Sequence, residues 1–165
     1  MMKIRKSTLE DLNTIMNIYA RARKFMADNG NYIQWGPTKW PPESLIREDI
    51  ALGNSYVCVD NQDKTIGVFY YNYGKNIDQT YDVIEGGAWL SDEPYGVVHR
   101  IATDGTAGVG TFCIDWAFGQ AGHIRMDTHN SNVPMNNLLK KLGFKYTGII
   151  HVVEDEYPRN AYEKL

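Results

Sequence analysis

Cysteine is nearly absent: the chain of 165 residues has only Cys58 and Cys113. Two thiols cannot build a disulfide framework. They fit a reducing compartment, where a buried free cysteine is the ordinary state, so a cytoplasmic location is expected. With four well-separated histidines they give no metal-ligand spacing, and no metal is expected. No apolar run approaches the roughly 20 residues that cross a bilayer. The opening "MMKIRKSTLEDL" lacks the apolar stretch of a secretory signal. Charge of one sign is not in excess either. Lys and Arg number 17, Asp and Glu 20, and the net charge is −3. The basic residues are scattered, which offers no footprint for nucleic acid or an acidic membrane, and neither is expected as a partner.

The length and the 43% hydrophobic content are those of a single domain over residues 1–165, large enough for a real core. "KIRKST" reads as a first strand. Thr8 and Asp11 stand at capping-box spacing, with Asp in place of the usual Glu or Gln. Leu9, Leu12, Ile15, Met16, Tyr19 and Ala22 then recur at helical spacing, which predicts a helix to about Asn29. The loop "NGNYIQWGPTKWPP" comes next, then a short helix "ESLIREDIALG". "SYVCV" and "KTIGVFYYNY" form a hairpin around "DNQD". Residues 74–94 have no clear pattern. "YGVVHRIAT" is a strand in which alternation puts His99 and Ile101 on one face and Arg100 on the other. Val109, Phe112, Cys113, Trp116, Ala117 and Gln120 mark a helix face. "HIRMDTH" is a strand. Pro134 and Gly143 bracket another helix. "KYTGIIHVVE" and "RNAYEKL" close as a strand pair. The order β-α-α-β-β-β-α-β-α-β-β is that of a layered α/β protein.

"IATDGTAGVGTF" (101–112) runs from strand through glycines into helix, an arrangement that presents backbone N–H groups to a phosphate. It is not a P-loop: Gly105 and Gly110 have the spacing, but Thr111 stands where Lys is required. It is not a good dinucleotide fingerprint: Gly108 and Gly110 fit, but the third position is Cys113. A bare tight turn, in a nucleotide-binding or interaction domain, stays open.

The residues after the loop narrow the choice. Gly108-Val109-Gly110 leads to a strand ending "DTHNSN" and then to "VPMNNLLKKLGFKYTGII". This order resembles the GNAT superfamily of acetyl-CoA-dependent N-acetyltransferases, in a bacterial branch. Its cofactor loop reads Arg/Gln-x-x-Gly-x-Gly/Ala, and its later motif reads Asn-x-x-Ala before a helix ending near Gly-Phe. Asn132, Met135 and "LLKKLGF" fall on that later pattern.

The resemblance implies a mixed, mostly antiparallel sheet, splayed between its fourth and fifth strands, with helices on both faces. Pantetheine would lie in the splay against Ile101, Ala102 and Thr103. Gly105, Gly108, Val109, Gly110 and Thr111 would receive the pyrophosphate, since glycines let the backbone approach and the helix dipole favours the charge. Asn132 is either a further cofactor contact or a helix cap. Two departures stand out. Gly105 replaces the loop's Arg or Gln, and the segment from Thr103 to Gly108 is about three residues short. Leu139 stands where many members carry a tyrosine that protonates the leaving thiolate.

The implied reaction moves an acetyl group from acetyl-CoA to a primary amine by direct attack. It needs a base for the amine and donors for the tetrahedral oxyanion, here a backbone N–H near Ile101 or Ala102. Candidate catalytic residues are His99 and His129, because histidine titrates near neutrality, with Tyr146 as an acid. Structural roles compete for each. Asp127 pairs with an arginine or a histidine, or caps a turn, and Glu85 sits in the segment without a pattern. Cys113, on an apolar helix face, reads as core. Tyr32, Gln34, Trp35 and Trp40 would wall the acceptor cleft, since aromatic faces attract ammonium groups. The acceptor is then a small amine or a peptide or protein amine. Homodimers are common in this superfamily, but no feature of the chain locates an interface. Without the loop's side chain, a relative that binds CoA and no longer catalyses is the runner-up.

Overall fold

The computed structural model describes residues 1–31, 34–153 and 155–165. Seven strands form one sheet: β1 (Lys3–Lys6), β2 (Ser55–Val59), β3 (Thr65–Gly74), β4 (Tyr95–Thr103), β5 (Ile124–His129), β6 (Lys145–His151) and β7 (Pro158–Lys164). Their spatial order is β1-β2-β3-β4-β5-β7-β6. All neighbours are antiparallel except β4 and β5. The helices are α1 (Leu12–Asp28), α2 (Glu43–Ala51), α3 (Val109–Ala121) and α4 (Val133–Lys141).

Side-chain alternation divides the core between the two faces. Val57, Val59 and Val68 pack with Leu12, Ile15, Ile18 and Tyr19 of α1 and Ile46 of α2. Cys58, Phe69 and Tyr71, one residue out of step, pack with Val109, Cys113 and Ala117 of α3 and Leu139 of α4. Cys113 is therefore core, and Leu139 is fully buried. The Thr8–Asp11 capping box forms, at the head of a single 3-10 turn that leads into α1. The β2–β3 turn is held by Asp60, whose carboxylate accepts from the backbone N–H groups of Gln62 and Lys64.

The sheet is splayed where β4 meets β5. Only Gly96 and Val97 of β4 find partners, at Ile124 and Arg125. Beyond them β4 stays with β3 and β5 stays with β7. Glycine is required at position 96, because a Cβ there would lie 2.6 Å from Ile124 Cδ1 and 3.0 Å from the Tyr71 ring.

A bulge bends β4 inside the splay. Val68 faces Ala102 but Tyr70 faces His99, so Arg100 and Ile101 together oppose Phe69. Arg100 adopts φ +51° to make the bend. This overturns the strict alternation expected of the strand. Ile101 packs toward α3, whereas His99 turns toward Tyr70 and Tyr81 on the other side. Period-two reasoning fails here because the bulge adds one residue to β4 alone.

Candidate active site

The splay opens into a cleft of about 870 Å³. The bulge that shapes it is fixed from both sides. Tyr19 of α1 donates its hydroxyl to the Arg100 carbonyl at 2.7 Å. The Arg100 guanidinium grips Asp49 of α2 with two hydrogen bonds of 3.1 and 3.0 Å, and stacks 4.6 Å over the Tyr70 ring. Burial pushes the Asp49 carboxyl up from its ordinary value, and Arg100 works against that shift. The strained residue is thus over-determined, as a functional bulge must be to persist.

Ile101, Ala102, Thr103, Gly105 and Gly110 line the cleft together with Asn132, Pro134 and Leu138. Gly105 and Gly108 take positive φ, +95° and +81°, and α3 begins immediately after with no acidic residue in its first turn and no side-chain cap. The first-turn N–H groups are therefore open to an anion. Of the residues named for this role, Ile101, Ala102, Thr103, Gly105, Gly110 and Asn132 border the cleft. Val109 is fully buried in the core beside it. Asn132 is the helix cap, and it also borders the cleft. Its side chain accepts from Met135 N at 3.3 Å, capping α4, while its amide lines the cleft and donates to Gln34.

Another stretch of wall is aromatic and charged. Gln34, Trp35, Trp40 and Tyr70 contribute from the loop before α2 and from β3. Gln34 ties the loop to the sheet by accepting from Asn31, Asn132 and the His129 backbone N–H. Trp35 packs edge-on against Tyr19 at 5.8 Å. Tyr32 lies outside the described residues.

His99 is in the cleft, but both its ring nitrogens are turned to carboxylates. Nε2 is 2.5 Å from Asp78 Oδ2, and Nδ1 is 3.6 Å from Asp127 Oδ1. Burial opposes its charge, yet the Asp78 hydrogen bond and the two negative charges outweigh it and raise its pKa above the usual 6.5. Asp78, despite burial, is held down at about 2 by His99 and by two hydrogen bonds from Thr80. The two carboxylates thus favour the protonated ring, and neither nitrogen points at open cleft.

The pair stabilises the fold over a bounded range of pH. The raised histidine contributes fully below its unfolded value of 6.5 and loses that contribution as pH rises through its folded value. The lowered carboxyl contributes above 3.8 and loses that contribution as pH falls toward about 2. Folding is therefore favoured most between these limits. In Asp78→Asn, the His99 ring should titrate at lower pH than in the parent, read by imidazole ¹⁵N shifts. An unchanged midpoint would contradict the pairing.

His129 and Tyr146 stand elsewhere. The His129 ring is buried beside the cleft, accepts from Ser131 N at 2.9 Å through Nδ1, and packs edge-on against Tyr157. Burial, then the charge of Arg159, lowers its pKa, so it stays neutral with its lone pair already engaged. Tyr146 lies on β6, half-exposed, against Tyr162 and away from the cleft. Glu85 is exposed and paired with His151 at 3.3 Å, its backbone bridged to Ile149.

Asp127 also borders the cleft. It lies on β5 in the splay with its side chain 9% exposed. Its Oδ1 accepts from Tyr81 at 2.6 Å, and its Oδ2 has no partner among the described residues. Asp78, Glu48, Asp49, Arg21 and Arg159 also border the cleft and were not singled out in the sequence. Asp78 and Tyr81 lie in the patternless stretch 74–94, which wraps back over β4 through a 3-10 turn at Gln79–Tyr81. The only local signal was Asp78 two residues before Thr80, the spacing of an Asx turn.

No protein-family model and no curated protein matches the sequence. Solved structures do. A GNAT-family acetyltransferase from Streptococcus agalactiae is 28% identical, with a TM-score of 0.80 over 99% of this chain and 95% of its own. A GNAT-family acetyltransferase from Listeria monocytogenes is 19% identical, with a TM-score of 0.72 over 99% and 94%. NAA60 of Arabidopsis thaliana, solved in complex with acetyl-CoA, is 13% identical, with a TM-score of 0.63 over 99% and 97%. The last two show the fold alone.

Proposed function

For a chain that belongs to the GNAT superfamily and carries its acyltransferase fold, we propose transfer of an acetyl group from acetyl-CoA to the nitrogen of a primary amine. The observation that carries this reading is the splay itself. A bulged β4 faces a diverging β5, and the gap leads to a glycine turn and an open helix N-terminus. A strand that has lost its neighbour offers backbone groups to an extended amide chain such as pantetheine. The glycine turn and α3 dipole suit a pyrophosphate. The complex of the Arabidopsis protein with acetyl-CoA is consistent with the same use of the fold.

The reaction needs no covalent enzyme intermediate. The amine attacks the thioester carbon, the carbonyl oxygen becomes an oxyanion, and collapse releases CoA thiolate. In this reading the β4 bulge near Ile101 supplies the oxyanion donor. Asp127 takes the amine's proton through its unpartnered Oδ2, directly or through water. His99 and Asp78 hold Asp127 and the bulge in place rather than exchanging protons with substrate.

Charge supports an amine acceptor without an adjacent carboxylate. Both arginines near the acceptor wall are already engaged: Arg100 with Asp49, and Arg159 with Asp155 at 2.7 Å. Glu48 pairs with no cation among the described residues, and Asp78 and Asp127 have one imidazole, that of His99, between them. The wall is therefore left with negative charge in excess. Trp35, Trp40 and Tyr70 add faces that attract ammonium groups.

Thermal unfolding with acetyl-CoA, using NADH and ATP as controls, tests the first half of the reading. A ligand at about 100 times its Kd adds roughly 2.7 kcal/mol. A shift with acetyl-CoA alone is expected, and its absence would remove the cofactor. Release of free thiol with a panel of amines then tests the second half.

A further inference from the structure

We infer that Arg21, on α1, is the side chain that anchors the cofactor's pyrophosphate, a role that rests on the acetyl-CoA reading above. Arg21 is exposed at the cleft border. It makes no hydrogen bond or ion pair among the described residues, unlike Arg5, Arg47, Arg100, Arg125 and Arg159, which are all engaged with carboxylates. Its guanidinium lies over the glycine turn. A Cβ on Gly105 would sit 2.9 Å from Arg21 Nη2 and 3.6 Å from Cζ. A side chain at 105 would therefore need the guanidinium to move aside, and φ +95° already disfavours one. The turn leaves its own side-chain space empty, and the arginine from α1 fills it.

The turn's one carboxylate, Asp104, is engaged within the turn, accepting from the Thr106 N–H and hydroxyl at 2.9 and 2.6 Å. Gly105 and Gly110 border the cleft, and α3 starts at Val109 with no acid in its first turn. The Gly105 N–H is likewise taken by Thr103 Oγ1, so the donors left for a ligand are those of the α3 N-terminus and the guanidinium fork beside it. A guanidinium presents paired donors that match phosphate oxygens in a bidentate fashion, where an ammonium offers only a point charge. Arg21 reaches this point because α1 packs across β3 and β4, and β4 leads into the turn. The short turn thus depends on a donor from a helix far earlier in the chain.

The test is calorimetric titration of the whole protein and of Arg21→Ala, Arg21→Lys and Arg21→Gln with three ligands. CoA carries the pyrophosphate and the ribose phosphate, dephospho-CoA carries only the pyrophosphate, and pantetheine carries neither. Arg21→Ala should weaken CoA and dephospho-CoA alike, by about tenfold at low salt, and leave pantetheine unchanged. Arg21→Lys should recover part of the loss, and Arg21→Gln less. Raising the salt should narrow the difference between parent and Arg21→Ala. Because the side chain has no partner among the described residues, the unliganded variants should melt with the parent.

Equal CoA affinity in parent and Arg21→Ala would overturn the assignment. So would a loss confined to CoA and absent with dephospho-CoA, which would put Arg21 on the ribose phosphate. An equal loss with pantetheine would make its role structural. A parent that binds neither CoA nor dephospho-CoA would instead sink the acetyl-CoA reading, and the Arg21 assignment with it.

Discussion

Glu163→Ala should destabilise the fold by about 3–5 kcal/mol, the cost of stripping the partner from a buried charge. Glu163 has no exposed surface. Its carboxylate accepts from His123 Nε2 at 2.5 Å, Arg125 Nε at 3.2 Å and Leu90 N at 2.5 Å. Arg125 is itself buried, clamped between the Trp89 and Tyr95 rings at 4.2 and 4.1 Å, and donates to the Ser91 carbonyl at 2.6 Å. These contacts join β5, β7 and the long 74–94 connection at the closed end of the splay. Removing the carboxylate strips the acceptor from Arg125 Nε, His123 Nε2 and the Leu90 N–H, and leaves the buried guanidinium without its counter-charge. Against typical total stabilities of about 5–15 kcal/mol, the loss is a large fraction. Urea unfolding at neutral pH measures it as a shift in midpoint with unchanged slope. Glu163→Leu combined with Arg125→Leu should lose less than the sum of the single changes, because neither charge is then stranded. A single-variant loss below about 1 kcal/mol would mean that the ion pair contributes little.

Asp127→Asn should lower kcat/KM for an acetylated amine by about 10² to 10⁴, the range for losing a general base. The substitution keeps the shape and an oxygen to accept from Tyr81, which now bonds Asp127 at 2.6 Å. CoA affinity should hold, since Asp127 is proposed to act on the amine and not on the cofactor. The loss would then fall on turnover rather than on binding. His129→Ala is the matched control, because its ring nitrogen is already engaged with Ser131. It should change turnover far less than Asp127→Asn. A rate within about threefold of the parent for Asp127→Asn would remove the carboxylate from the chemistry.

Both variants act on β5, one through Arg125 and the other directly, and this strand shows how local pattern and tertiary placement divide the work. "HIRMDTH" reads as a strand from its alternation, and the strand forms at Ile124–His129. The roles of its polar residues are not in that pattern. Arg125 is buried because Trp89 and Tyr95 come from outside to cover it. Asp127 becomes a cleft carboxylate because β4 turns away from it after Val97. His129 is drawn instead into the turn before α4, where the neighbouring Ser131 N–H holds its ring. Histidine chemistry near neutral pH made His99 and His129 the natural bases. Only the placement of two carboxylates beside one ring, and of a turn amide beside the other, engages both.

Much of the architecture was already legible along the chain. The element order follows from the helical and alternating periods, the hairpin turn from "DNQD", and the α4 boundaries from Pro134 and Gly143. The glycine turn with its following helix marked the candidate anion site, and Cys113 marked the core. These are short-range properties, set by backbone preference and by which face of an element is apolar. The site's charged chemistry was decided by tertiary structure. The bulge at Arg100 depends on Tyr19 and Asp49, which are 81 and 51 residues away. Asp78 reaches His99 across a connection with no periodic pattern. Arg21 meets Gly105 only because α1 packs across β3 and β4. Hydrophobic periodicity reports which side of an element is buried. It carries no information about which distant polar groups that burial brings together, and here that pairing decides which groups are free to act.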